Sequence, residues 1–103
     1  MPARYFTRHA ANRSLPLISR IVSDLQETQR GMEQARAFGE MGKPLFRELQ
    51  ETVNSLHGEL EDLGCFFTNS NDRIGHVEFP AETGEHHSYF CWQPGESEVT
   101  RLR

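Results

Sequence analysis

The chain has no apolar stretch approaching the roughly 20 residues that a membrane span requires, and no apolar signal core follows Arg4 and Arg8. These two absences lead us to expect a soluble, cytoplasmic protein with no membrane partner. Cysteine is scarce, at Cys65 and Cys91 only, which fits a reducing compartment and supplies no disulfide framework. Nothing in the spacing supports a bond between the two. Basic charge is also short: 11 Lys and Arg stand against 15 Asp and Glu, for a net charge of -4, with a pI near 5.7. A phosphate-binding surface needs the opposite balance, so nucleic acid is not an expected partner. Arg4, Arg8, Arg13 and Arg20, and then Arg101 and Arg103, are dispersed without aromatic stacking motifs and read as solvated surface. The sequence has no Gly-rich phosphate cradle, because Gly39, Gly42 and Gly64 punctuate helices without the flanking strand a nucleotide loop uses. It also shows no internal repeat, low-complexity tract or long linker.

What is present is enough for one core. A length of 103 residues is near that of a single ordinary domain, so residues 1–103 are expected to form one unit. Only 36% of the residues are apolar, and the mean hydropathy is -0.66. The core must therefore come from well-patterned amphipathic elements.

Tyr5 and Phe6 read as a short extended entry, and Thr7 as the cap of a helical turn from Arg8 to about Ser14, with Ala10 where a full capping box would place Glu or Gln. Pro16 lacks an amide hydrogen and biases Leu15 away from helix, so a restart capped by Ser14 is favoured over a single kinked helix. From Leu17 onward, Ile18, Ile21, Val22, Leu25, Met32, Ala35 and Phe38 recur at mostly helical spacing, lapsing at Thr28 and Gln29 and fading near Gly39 or Gly42. Lys43-Pro44 opens the next helix, whose stripe of Leu45, Leu49, Val53, Leu56, Leu60 and Leu63 closes at Gly64. With a short glycine-containing connection, two helices of about 20 residues make an antiparallel hairpin over about 8–64.

Past Gly64 the period falls toward two. Cys65 to Thr68, Gly75 to Pro80, His86 to Gln93 and Ser97 to about Leu102 read as strands. The turns between them are the Asn69 to Asp72 cluster, Thr83-Gly84, and a type II turn at Gln93-Pro94-Gly95-Glu96. The expected fold class is α+β, a long antiparallel helical hairpin followed by a small antiparallel β-meander over about 65–102.

Several segments resemble domain-of-unknown-function family 2203: Tyr5-Phe-Thr7, Ala10-Ala-Asn12, Leu15-Pro16, Val77-Glu-Phe-Pro-Ala81, Tyr89-Phe-Cys-Trp92 and Gly95-Glu-Ser-Glu98-Val. The resemblance spans nearly the whole chain. That family is bacterial and archaeal and has no established activity, so the resemblance implies a fold and no reaction. Its members commonly carry Asp where Glu78 stands, and often continue into an aromatic-His segment and a Gly-rich tail. The sequence here ends at Arg103, so a function that depends on such a tail is not expected to carry over.

A two-residue hairpin turn at Thr83-Gly84 would set Val77 against Phe90 and His76 against Cys91. Alternation then puts Val77, Phe79, Phe90 and Trp92 on one apolar face, and His76, Glu78, His87, Tyr89 and Cys91 on the other. A three-residue loop would mix these sets. The polar face offers two chemistries. His76, His87, Cys91 and Glu78 carry the imidazole, thiolate and carboxylate groups that zinc-like ions prefer, but lack CxxC, HExxH or any other paired spacing. Cys91 is also a candidate nucleophile with His76 as base and Glu78 as its orienter, on a strand that supplies no helix N-terminus. Adjacent His86 and His87 point to opposite faces and do not chelate together, and they and His57 read as solvated. Cys65 reads as inert core.

No cofactor and no resident metal are expected. The two helical stripes could pack on each other, on the sheet or on a second copy, and a chain of this size has limited internal surface to cover both, so the preferred reading is a self-associating or partner-binding interaction module rather than an enzyme. The alternative is a small Cys/His-dependent enzyme or metal-binding protein built around Cys91.

Overall fold

A computed structural model describes residues 5–68, 75–82 and 88–101. Helix α1 runs over Arg8–Ala37, a short 3-10 turn occupies Gly39–Gly42, and helix α2 runs over Lys43–Leu63. Strands β1 (Phe66–Thr68), β2 (His76–Pro80), β3 (Tyr89–Trp92) and β4 (Thr100–Arg101) follow. They pair antiparallel in the order β1-β2-β3-β4. The architecture is thus the α+β helical hairpin and β-meander that the periodicity predicts. His86, His87, the Asn69 to Asp72 cluster, the Thr83-Gly84 turn and Leu102 lie outside the described residues.

The ends of the helices follow from local chemistry. The Thr7 hydroxyl accepts the Ala10 amide at 3.0 Å, so one orphan donor of the first turn is satisfied without a full capping box. Pro stands in the first turn of α2, where its missing amide hydrogen costs nothing. Gly64 closes α2 in the left-handed region, φ 94°, with its amide directed at the Leu60 and Glu61 carbonyls.

The expected restart at Pro16 does not occur. Pro16 lies inside α1, which is continuous for 30 residues, so Ser14 is not a cap. The hydroxyls of Ser14 and Ser19 instead bond back to the Ala11 and Pro16 carbonyls, at 2.7 Å and 3.1 Å. An interior proline costs a helix about 3 kcal/mol. Ala11, Leu15, Ile18, Ile21 and Val22 are buried on both sides of it, and each large aliphatic among them returns about 1.5–3 kcal/mol on burial. Packing outweighs the local defect, while Pro16 itself faces solvent.

The core lies where the hairpin meets the sheet. Ile18, Leu25, Leu60, Val77, Phe79 and Val99 are among its fully enclosed side chains. The N-terminal entry joins this layer: Phe6 forms a parallel bridge with Ala81, and its ring meets Phe79 edge-on at 5.1 Å. Arg8 donates to the Val99 carbonyl at 3.0 Å and lies over the Phe90 ring, while the Val99 amide donates to Asn12 Oδ1 at 2.7 Å. The first turns of α1 therefore hold the last strand through polar contacts that hydropathy does not reveal.

The far part of the hairpin differs from expectation. The enclosed core reaches only to Leu25 on α1 and Val53 on α2, with Met32 partly buried beyond it. Leu45 and Phe38, both placed on core stripes by their spacing, are 49% and 71% exposed. A 30-residue helix is about 45 Å long, whereas the five residues of β2 span about 17 Å. The sheet is too short to cover both stripes.

Leu60→Ala should therefore lower the unfolding free energy by about 2–5 kcal/mol, the range for removing an enclosed aliphatic side chain. Leu45→Ala on the same stripe should change it by less than about 0.5 kcal/mol in dilute protein. Urea melts of the two variants measure the contrast, and equal losses would place the core elsewhere.

Candidate functional site

Two places combine exposure with chemistry. The first is the outer face of the sheet. Strands β2 and β3 pair Val77 with Trp92, Glu78 with Cys91 and Phe79 with Phe90, a register displaced by two residues from the one expected for a tight Thr83-Gly84 turn. Backbone pairing continues outward, the Ala81 amide donating to the Ser88 carbonyl at 2.9 Å. Because side chains alternate with a period of two, a two-residue displacement keeps every residue on its expected face. Val77, Phe79, Phe90 and Trp92 are buried, while His76, Glu78, Tyr89 and Cys91 share the half-exposed side.

The displacement changes which groups meet. Cys91 faces Glu78, not His76 as expected, and His76 faces Thr68 of β1. The His76 imidazole pairs with Glu78 within its own strand, Nε2 to Oε2 at 3.0 Å, with the two side chains 21% and 28% exposed. Residues two apart on a strand share a face, which is why this contact forms. Glu78 thus orients His76, but the thiol lies across from the carboxylate instead of the base. Phe66 flanks Glu78 on the other side and is largely exposed. Among the described residues no three His, Cys, Asp or Glu side chains gather in a way that could hold a metal. His87, the remaining expected member of the face, lies outside the described residues.

Cys65 and Cys91 are both present as thiols. Cys65 is fully enclosed against the end of α2, its thiol directed at the Leu60 carbonyl at 3.5 Å. Desolvation by burial pushes that thiol from its ordinary 9.0 up to about 12. Cys65 is therefore a structural thiol.

The second place is the tip of the hairpin, where the two helical stripes end. Gly39 takes φ 60° and so turns the chain out of α1. A side chain at Gly42 has no room, because a Cβ there would fall 1.8 Å from the Ala35 carbonyl oxygen. This close approach brings the turn against α1, and beside it lies an open depression of about 430 Å³. Ala35, Gly39, Gly42 and Phe46 form its apolar walls, and Arg36, Glu40 and Lys43 also line it. The Arg36 guanidinium lies 5.5 Å from the centre of the Phe46 ring. Phe38 and Met41 project from the same turn, 71% and 89% exposed. The sequence signal here is weak: two large apolar residues, Phe38 and Met41, set beside Gly39 and Gly42 between the helices, where periodicity no longer applies.

The described elements define a two-layer α+β protein with a half-exposed polar sheet face and an apolar hairpin tip. Over residues 4–102 the chain matches the family described as "Uncharacterized conserved protein (DUF2203)", and it belongs to that family. Comparison with curated proteins and with solved structures gives no match.

Two outcomes are expected from the cysteines. In native protein at pH 8 a thiol reagent should modify Cys91 and leave Cys65 untouched until denaturant is added, which mass spectrometry of the labelled peptides reads directly. The alkaline stability profile should also carry the mark of Cys65. Since its folded value is raised, its contribution to stability is complete below pH 9 and is lost as pH climbs toward about 12. Wild type should therefore lose more stability over that window than Cys65→Ala, measured by urea melts at each pH, and parallel profiles would disprove the burial effect.

Proposed function

We propose that the chain is a small cytoplasmic interaction module that self-associates through the uncovered end of its helical hairpin. One observation carries the reading: α1 and α2 run on beyond the enclosed core, and leave Phe38, Met41 and Leu45 exposed at one end. A pair of helices with apolar stripes needs a second layer, and the sheet supplies it only near the termini of the hairpin. The far end has the composition for coiled-coil-like packing against further helices, with Leu45, Phe46 and Leu49 on one helix and Met32 on the other.

Other classes of partner have less support. A net charge of -4 disfavours nucleic acid. Among the described residues no helix is long and apolar enough to cross a membrane. The paired His76 and Glu78 form an ordered polar contact on the sheet, with Thr68 of β1 across from His76.

Light scattering across a concentration series tests the reading. Wild type should pass from monomer to dimer as concentration rises, and Leu45→Lys should shift that transition upward by about tenfold or more, since an unpaired ammonium would be placed in the contact. A wild-type monomer at all accessible concentrations would refute it.

A further inference from the structure

The last strand is short, and one residue anchors it. Strand β4 has two residues and lies at the edge of the sheet beside β3. Of residues 95–100 only Val99 is buried; its side chain is fully enclosed in the core, while Glu98 and Thr100 on either side of it are exposed. A segment with so little buried apolar surface belongs to the least stable part of a fold. Its attachment therefore rests on how Val99 is seated.

The main chain of Val99 is bonded by side chains of α1. Asn12 Oδ1 accepts its amide at 2.7 Å, and Arg8 donates to its carbonyl at 3.0 Å while lying 5.4 Å from the centre of the Phe90 ring. Arg8 and Asn12 are four residues apart, so one face of the helix presents a donor and an acceptor to the two polar groups of a single residue. Enclosing Val99 with either group unpaired would carry a desolvation penalty, so its seating depends on both side chains at once. The turn that precedes it is fastened separately. Trp92 Nε1 donates to the Glu96 carbonyl at 2.8 Å, and the Glu96 carboxylate accepts the Gln93 amide at 2.7 Å. Between these two fastenings lie only Ser97 and Glu98, both exposed.

We propose that residues 97–101 form a strap that undocks from the folded domain as a unit, that Arg8 and Asn12 are its latch, and that undocking bares the edge of β3. Ser97 and Glu98 supply the hinge, between the fastening at Glu96 and the anchor at Val99. Release withdraws Val99 from the core and separates Thr100 from Cys91, including the bond from the Thr100 hydroxyl to the Cys91 carbonyl at 3.4 Å. The hairpin and the pairing of β1, β2 and β3 stay in place. A bared strand edge presents unpaired amide and carbonyl groups that template pairing with another strand. The strap is thus an autoinhibitory contact, because the segment that completes the sheet also keeps the β3 edge occupied.

Residue-resolved hydrogen exchange of the full chain by nuclear magnetic resonance, repeated at several low urea concentrations, tests the strap. In wild type the Val99 amide should exchange through an opening that urea hardly changes, whereas the amides of Leu56 and Leu60 in α2 should follow a steep urea dependence set by global unfolding. Arg8→Ala should speed exchange of the Val99 amide by about tenfold or more, although the acceptor of that amide, Asn12, is intact. Asn12→Ala should do the same for the protected amides shared by β3 and β4, and Asn12→Asp, which keeps an acceptor, should stay near the wild-type rates. Circular dichroism of all three variants should match wild type. If the Val99 amide falls on the same steep urea curve as Leu60, the strap opens only when the whole domain unfolds and the proposal fails. Unchanged Val99 exchange in Arg8→Ala would remove the shared latch. Loss of the helical signal in either alanine variant would show that the contact holds the domain and not a separable strap.

Discussion

Two long apolar stripes must be covered by one small sheet, and most features of this molecule trace to that mismatch. Near the ends of the chain the cover is complete: β2 and β3 lay Val77, Phe79, Phe90 and Trp92 on the hairpin, and Phe6 and Val99 close the margins. Polar contacts lock this layer from outside, through Arg8 and Asn12 on the first turns of α1 to the backbone of Val99. Toward the turn of the hairpin no described strand covers the helices, and they pack on each other. There they use small residues for close approach: a Cβ on Gly31 would lie 3.2 Å from the Leu49 side chain, and Gly42 nearly touches the Ala35 carbonyl.

The same imbalance explains why α1 survives Pro16. A helix that gained little from packing would break at an interior proline, as local propensity predicts. Here the first turns carry both apolar anchors and the two contacts to Val99, so a break would release the last strand as well as the helix. The interior proline is thus retained within a segment whose tertiary contacts are dense on both sides. Its ring is exposed, and no packing is lost to accommodate it.

The polar sheet face and the hairpin tip contrast in what their residues can do. On the sheet, His76 and Glu78 satisfy each other and Cys91 stands opposite the carboxylate, an arrangement that places three reactive groups near one another without aligning base and thiol. On the tip, the groups are chemically plain, yet their exposure is costly in water and their shape is specific.

Much of the fold is legible in the sequence because it depends on short-range chemistry. The start of α2 at Lys43, its stop at Gly64, the Thr7 cap and the turn at Gln93 to Glu96 each follow from one or two residues whose backbone preferences are strong. The expected facing of β2 and β3 also holds, because their register is displaced by an even number of residues; an odd displacement would have mixed the two faces. Three features were decided only in three dimensions. The pairing of Cys91 with Glu78 depends on the length of a connection, and a displacement of two residues leaves the hydrophobic pattern unchanged. The continuity of α1 through Pro16 goes with burial of the residues on either side of it and with contacts from Arg8 and Asn12 to Val99, distant in the chain. Whether Leu45 and Phe38 are core or surface depends on how far the sheet reaches along the hairpin. Periodicity tells which side of a helix is apolar, because that is a property of neighbouring residues. It does not tell where along the helix a partner is present, because that is set by elements distant in the chain.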